Sequence, residues 1–266
     1  MQLLEAVGAI KNDVEANLKC EIILAGVWGS QAIGLGGKAS DYDIIALQKG
    51  CSNAFIRTEK MVIGNIEMEM HIWNVDMVFN ELKKWHMLDI PVPTILSKSA
   101  NELIHDDRAR SVVRLACANC VINQVPITGM REGCDLNEGL LISDALDYEY
   151  SRAYMNYNNA LNGTSVNVRK YLYTLNELFT IQWIIDNHSF APKFRELLHY
   201  MKVSDIVCNS IIRLLNVNEN HPKQSGCIVK DDILNSYIGE ELIRLRDLIS
   251  GYTNAKSTLR IRYYDN

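Results

Sequence analysis

The chain has 266 residues and a mass of 30.2 kDa, is 48% hydrophobic and 22% charged, and carries a formal charge of −5. That composition excludes collagen-like, low-complexity and wholly disordered chains, and a chain of this length builds a core without disulfide staples. It is not the balance of a strongly basic nucleic-acid binder. The acidic excess is local: residues 1–108 carry ten basic and fifteen acidic side chains, the remainder seventeen of each. Acid-rich sites suit divalent cations, so a metal is expected in the amino-terminal part.

Seven cysteines, an odd number, lack the dense pairing of a small secreted domain. The start Met1-Gln2-Leu3-Leu4-Glu5 does not resemble a secretory signal. No run of about 18 apolar residues suggests a membrane span. A reducing, cytoplasmic setting is expected.

The first predicted element is an amphipathic helix, with Leu3, Leu4, Val7, Ile10, Val14 and Leu18 at helical spacing. Residues 22–27 are compact, apolar and branched, as in a buried strand, and run into Trp28-Gly29-Ser30. A glycine-rich stretch, 34–37, leads to Ser40-Asp41-Tyr42-Asp43, and 44–47 predict a second buried strand. Met61-Val62-Ile63 and residues 66–73 flank Gly64-Asn65, which predicts a hairpin. In its second arm Glu67, Glu69 and His71 alternate with Ile66, Met68, Met70 and Ile72, so the three polar residues share one face. A helix is expected over 75–85, after which Pro91 and Pro93 break the pattern.

From about Arg108 the periodicity is mostly helical. Tyr171, Leu172, Leu175, Leu178, Phe179, Trp183 and Ile184 trace one apolar stripe, and 195–201, 203–215 and 232–248 behave alike. Residues 216–226, polar and holding Pro222, predict a loop. The expected organisation is α/β: a mixed-sheet catalytic domain over 1–107, then a helical nucleotide- and substrate-binding domain over 108–266.

One constellation carries chemistry. Gly29 lets backbone approach a ligand closely. Ser30 adds a hydroxyl, and amides at a following helix start favour phosphate. Asp41 and Asp43, two residues apart on a strand, point to one side, where two carboxylates repel unless a cation lies between them. Glu69, on a neighbouring strand, completes a hard oxygen cage for Mg²⁺, and two such ions clamp the attacking and leaving oxygens of phosphoryl transfer. Glu67 shares that face and is the rival third acid. His71 lies beside them, with a structural role preferred.

Gly29-Ser30-Gln31-Ala32-Ile33-Gly34 followed by Ser40-Asp41-Tyr42-Asp43 and a later strand acid resembles the polymerase-beta-like nucleotidyltransferase superfamily. Within it the chain is similar to the nucleotidyltransferases found beside RNA ligases, the RNA-repair branch. Three features carry this: the two motifs just quoted, an acid four residues before Trp73, and Val168-Arg169-Lys170-Tyr171-Leu172-Tyr173 with the later Trp183-Ile184. The resemblance implies Mg²⁺-dependent transfer of a nucleotide from a nucleoside triphosphate, with Mn²⁺ as a substitute ion, to a hydroxyl on RNA or tRNA. It implies Asp41, Asp43 and Glu69 as catalytic metal ligands, and Gly29, Ser30 and Ser40 at the nucleotide. It further implies Lys170 at the triphosphate and Tyr171 or Tyr173 stacking on a base. Two positions depart from the branch: Gln31 stands where an Arg often follows Gly-Ser, and Glu69 where the third acid is usually Asp.

Other acceptors remain open at this point. A protein AMP-transferase of the antitoxin type, a small-molecule nucleotidyltransferase and a non-catalytic nucleotide-binding module share the same motifs. Cys117-x-x-Cys120 with Cys134 lacks a fourth ligand nearby, so zinc is not expected. The tail 259–264 alternates basic and apolar residues, which favours a short strand over an RNA contact.

Overall fold

Ile44, Ala46, Met68, Met70 and Ile72 line one face of two neighbouring strands, and each is almost wholly buried. That face needs a cover, and the first helix supplies it. In the computed structural model, which describes residues 2–37, 40–50, 57–63, 66–74, 102–105, 139–187, 191–220 and 226–264, helix α1 (Gln2–Leu18) sets Val7, Ile10 and Val14 into the same core. Each such side chain contributes roughly 1.5–3 kcal/mol on full burial. Glu15 ties the end of α1 to the first strand by accepting the Ile22 amide at 2.8 Å.

The strands are β1 (Glu21–Trp28), β2 (Tyr42–Lys49), β3 (Arg57–Ile63), β4 (Ile66–Asn74) and β5 (Glu102–His105), in the order β3-β4-β2-β1-β5. β2 and β4 run parallel and the other pairs antiparallel, so the sheet is mixed. The hairpin pairs Ile63 with Ile66 and then Lys60 with Glu69. A single helical turn, α2 (Gly29–Ala32), follows β1. The polar alternation expected in β4 holds: Met68, Met70 and Ile72 are buried, while Glu69 and His71 are half-buried and Glu67 is exposed.

The chain divides into two units, Met1–Gly36 with Ser40–Asn137, and Gly37–Ala39 with Glu138–Asn266. The domain boundary expected between 107 and 108 lies outside the described residues. So do the helix expected over 75–85, Pro91, Pro93 and the cysteines at 117, 120 and 134.

The second unit is a helical cluster built from α3 (Gly139–Ala160), α4 (Val168–Asn187), α5 (Phe194–Met201), α6 (Asp205–Asn220) and α7 (Asp232–Tyr264). The apolar stripe of α4 is its centre, packing against α3, α5, α6 and α7. Phe179 stacks on Phe194 with ring centroids 5.8 Å apart. A short antiparallel pair, β6 (Ser165–Asn167) with β7 (Cys227–Val229), leads into the cluster. Two sequence expectations are corrected here. Residues 216–220 continue α6 instead of opening a loop, because Asn218 is buried and Asn220 bonds back to the Asn216 carbonyl at 2.8 Å. Residues 259–264 belong to α7 and form no strand. Among the described residues, no helix is long and apolar enough to cross a membrane.

Candidate active site

The face of the sheet opposite α1 carries the polar residues. Asp43 is the middle residue of a row across β1, β2 and β4: it pairs with Trp28 of β1 on one side and with Glu69 of β4 on the other. Register partners point to the same side of a sheet, so Asp43 and Glu69 share a face. Asp41 precedes β2 by one residue and is half-buried. Glu67 lies one position before the first β2–β4 pair, Tyr42 with Met68, so the register sets Glu69 and not Glu67 directly opposite Asp43.

Gly29 closes the other side of Asp43. Its φ of +62° lies in the left-handed region, and a β-carbon there would fall 2.2 Å from Asp43 Oδ2. Only glycine satisfies both constraints. Ser30 is buried in the α2 turn, whose backbone is closed by the Leu35 amide donating to the Ser30 carbonyl at 2.8 Å. Gln31 does not reach outward as a cationic side chain would. Its amide Nε2 donates to the Ser40 carbonyl at 3.5 Å, and its Oε1 fills the space a β-carbon on Gly36 would need. The residue that replaces the branch's Arg therefore ties the 30–40 loop to itself.

Two side chains from β3 complete this face and were not singled out from the sequence. Lys60 Nζ lies 3.0 Å from Glu69 Oε2. The hydrogen bond that Lys60 donates to Glu69, then Glu69's charge and, more weakly, that of Asp41 hold the Lys60 ammonium above the usual lysine range. Thr58 Oγ1 is 3.2 Å from His71 Nδ1, and His71 Nε2 is 3.6 Å from Glu69 Oε1. The strand register was the available signal: pairing Ile63 with Ile66 sets Lys60 opposite Glu69 and Thr58 opposite His71.

The donor set suits a hard divalent ion. Asp43 and Glu69 are carboxylates on one face, Asp41 precedes them, and a cation, the Lys60 ammonium, already sits on Glu69. Among the described residues, the side chains as placed form no group of three or more His, Cys, Asp or Glu that holds a metal ion. Glu69 is instead directed to Lys60 and His71. The residues thus fit the ion by type and register, with Glu69 engaged elsewhere.

The residues expected in the helical unit separate sharply. Lys170 is exposed, and its ammonium donates to Asn156 Oδ1 at 3.3 Å. Tyr171 is fully buried: its hydroxyl bonds Asn235 Oδ1 and accepts the Asp231 amide at 3.1 Å. A ring with no exposed face offers no surface for base stacking. Tyr173 is half-buried on the same helix.

Residues 128–262 match the family described as RlaP, the RNA repair pathway DNA polymerase beta family. That segment does not include the strands bearing Asp43 and Glu69. A crystal structure of a nucleotidyltransferase-like protein from Exiguobacterium sibiricum aligns with 99% of this chain and 81% of its own, at 9% identity and a TM-score of 0.37. No curated protein matches the chain.

Proposed function

The chain belongs to the RNA repair pathway DNA polymerase beta family and is a polymerase-beta-like nucleotidyltransferase; from that premise we propose that it transfers a nucleoside monophosphate from a nucleoside triphosphate to the 3′ hydroxyl of an RNA end, in repair of RNA such as tRNA in the cytoplasm. The observation that carries this reading is the Asp43–Glu69 register pair, with Asp41 just ahead of it and side-chain-free Gly29 against Asp43.

Asp41, Asp43 and Glu69 would hold two Mg²⁺ ions, or Mn²⁺ in their place. When bound, such ions stabilise charge on the attacking and leaving oxygens. The acceptor oxygen forms a bond to the α-phosphorus, the bond from that phosphorus to the bridging oxygen of the β-phosphate breaks, and pyrophosphate leaves. In this reading Glu69 would hold the catalytic ion and help accept the hydroxyl proton. The missing side chain at Gly29 makes room for the Asp43 carboxylate, while Ser30 and the turn it anchors would shape the phosphate loop. Ser40 adds a polar group to that loop. Lys170 is an additional nucleotide contact in this proposal, a role that rests on the sequence resemblance. The RNA acceptor draws its support from the family's place in an RNA repair pathway.

The test is transfer from each α-³²P-labelled nucleoside triphosphate, with Mg²⁺, into intact and nicked tRNA, beside the Asp43→Asn variant. Label in RNA that falls at least about 100-fold in the variant is the expected result, since carboxylate ligands of a catalytic ion act mainly in the transition state. Label in a protein band, or in neither polymer, rejects the RNA acceptor.

A further inference from the structure

Lys60 is the cation nearest the proposed metal ligands among the described contacts, and neither the resemblance nor the family assigns it a role. Its position is fixed by backbone register. The β3–β4 register makes it the partner of Glu69, so its side chain leaves the sheet on the carboxylate face. Its ammonium lies 3.0 Å from Glu69 Oε2, and the charge of Asp41 reaches the same ammonium. Glu69 is the acid that stands directly opposite Asp43. The carboxylate that a divalent ion needs is therefore the one a lysine already neutralises.

We infer that Lys60 is an internal counter-cation that exchanges with the divalent ion at Glu69: the ammonium holds the carboxylate when no ion is bound, and ion entry displaces it. This rests on the metal-dependent reading proposed above. The exchange follows from charge. Asp43 and Glu69 on one face, with Asp41 just ahead of them in the chain, bring like charges together, and an ammonium tethered to a neighbouring strand relieves part of that repulsion without metal. A dication arriving at the same oxygens meets both the lost ammonium contact and repulsion from the ammonium, so lysine weakens ion binding. Three-quarters of the Lys60 side chain is exposed, at 75%, so the displaced ammonium has open solvent to move into. After exchange it remains beside the site, where an incoming triphosphate offers it a new anionic partner.

The experiment measures Mn²⁺ binding to the full chain without nucleotide, from the paramagnetic resonance signal of free aqueous Mn²⁺. Wild type, Lys60→Met, Lys60→Arg and Asp43→Asn are compared. Lys60→Met is expected to bind Mn²⁺ roughly threefold to tenfold more tightly, as removal of one positive charge beside a dication requires in a solvent-screened site. Its metal-free melting temperature should fall, and its rise on adding Mn²⁺ should exceed that of wild type. Lys60→Arg keeps the charge and should bind as wild type does. Lys60→Gln repeats the test if the Met variant folds poorly. Equal or weaker binding by Lys60→Met, with binding still abolished by Asp43→Asn, overturns the exchange and leaves the metal reading standing. Absence of Mn²⁺ binding in both wild type and Lys60→Met overturns both.

Discussion

A single methyl group at position 29 tests how tightly the site is built. Alanine there must adopt a φ near +62° and place its β-carbon 2.2 Å from Asp43 Oδ2, so either the turn or the carboxylate moves. The left-handed backbone costs about 1–2 kcal/mol, which a unit with a packed core withstands. A displacement near 1 Å at a catalytic carboxylate costs on the order of 100-fold in rate. Gly29→Ala is therefore expected to keep its circular dichroism spectrum and lose about 100-fold in nucleotide transfer; wild-type turnover would show that Asp43 does not work from this position. Such residues were legible because glycine, serine and paired acids are each chemically restrictive and lie close in sequence. Lys60 was not, because a lysine on an edge strand is ordinarily a solubilising residue, and only its cross-strand partner gives it meaning.

At the scale of elements, hydrophobic period was the reliable signal and polar composition the misleading one. Alternation in β4 separated Met68, Met70 and Ile72 from Glu69 and His71, because a strand turns successive side chains to opposite faces. Residues 216–220 looked like a loop because asparagine favours turns. Yet Asn218 is buried and Asn220 caps back onto its own helix, so tertiary contact overrides propensity. Tyr171 shows the same limit from the other side. Its place in a basic-aromatic run suggests ligand stacking, while its hydroxyl joins α4 to the start of α7 through Asn235 and the Asp231 amide. Tyr171→Phe retains the ring and strands that buried amide, at a cost of about 1–3 kcal/mol. The expected outcome is a lower urea midpoint with an unchanged KM for nucleotide. A raised KM at unchanged stability would restore the ligand role.

Across the whole molecule the two units differ in how they meet pH. The sheet unit keeps its carboxylates at a partly exposed face, whereas the helical unit buries Glu177 between α3 and α4. Glu177 receives the Arg152 guanidinium, Nε to Oε1 at 3.2 Å, and Asn156 at 3.2 Å. Burial nevertheless pushes its carboxyl up to about 8, against the pull of Arg152 and with a smaller push from Glu149. Glu149 is itself pushed up to about 7, again by burial and against Arg152. In the unfolded chain both acids ionise near the ordinary value of 4.5. Between that value and the folded ones, the folded unit binds more protons than the unfolded chain, so stability falls as pH rises. The loss begins near pH 4.5 and levels off above about 8. Each pH unit by which a carboxyl is raised corresponds to about 1.4 kcal/mol, so the loss across this window is on the order of several kcal/mol. Glu177→Gln keeps an acceptor for Asn156 and Arg152 and removes one of the two titrations. Amide-exchange protection in α3 and α4, which reports this unit separately from the sheet, should decline from pH 5 to 8.5 in wild type. It should decline less in the variant, with the two proteins converging at the acid end. Protection that instead grows with pH would mean that Arg152 outweighs burial and that Glu177 is ionised inside the fold.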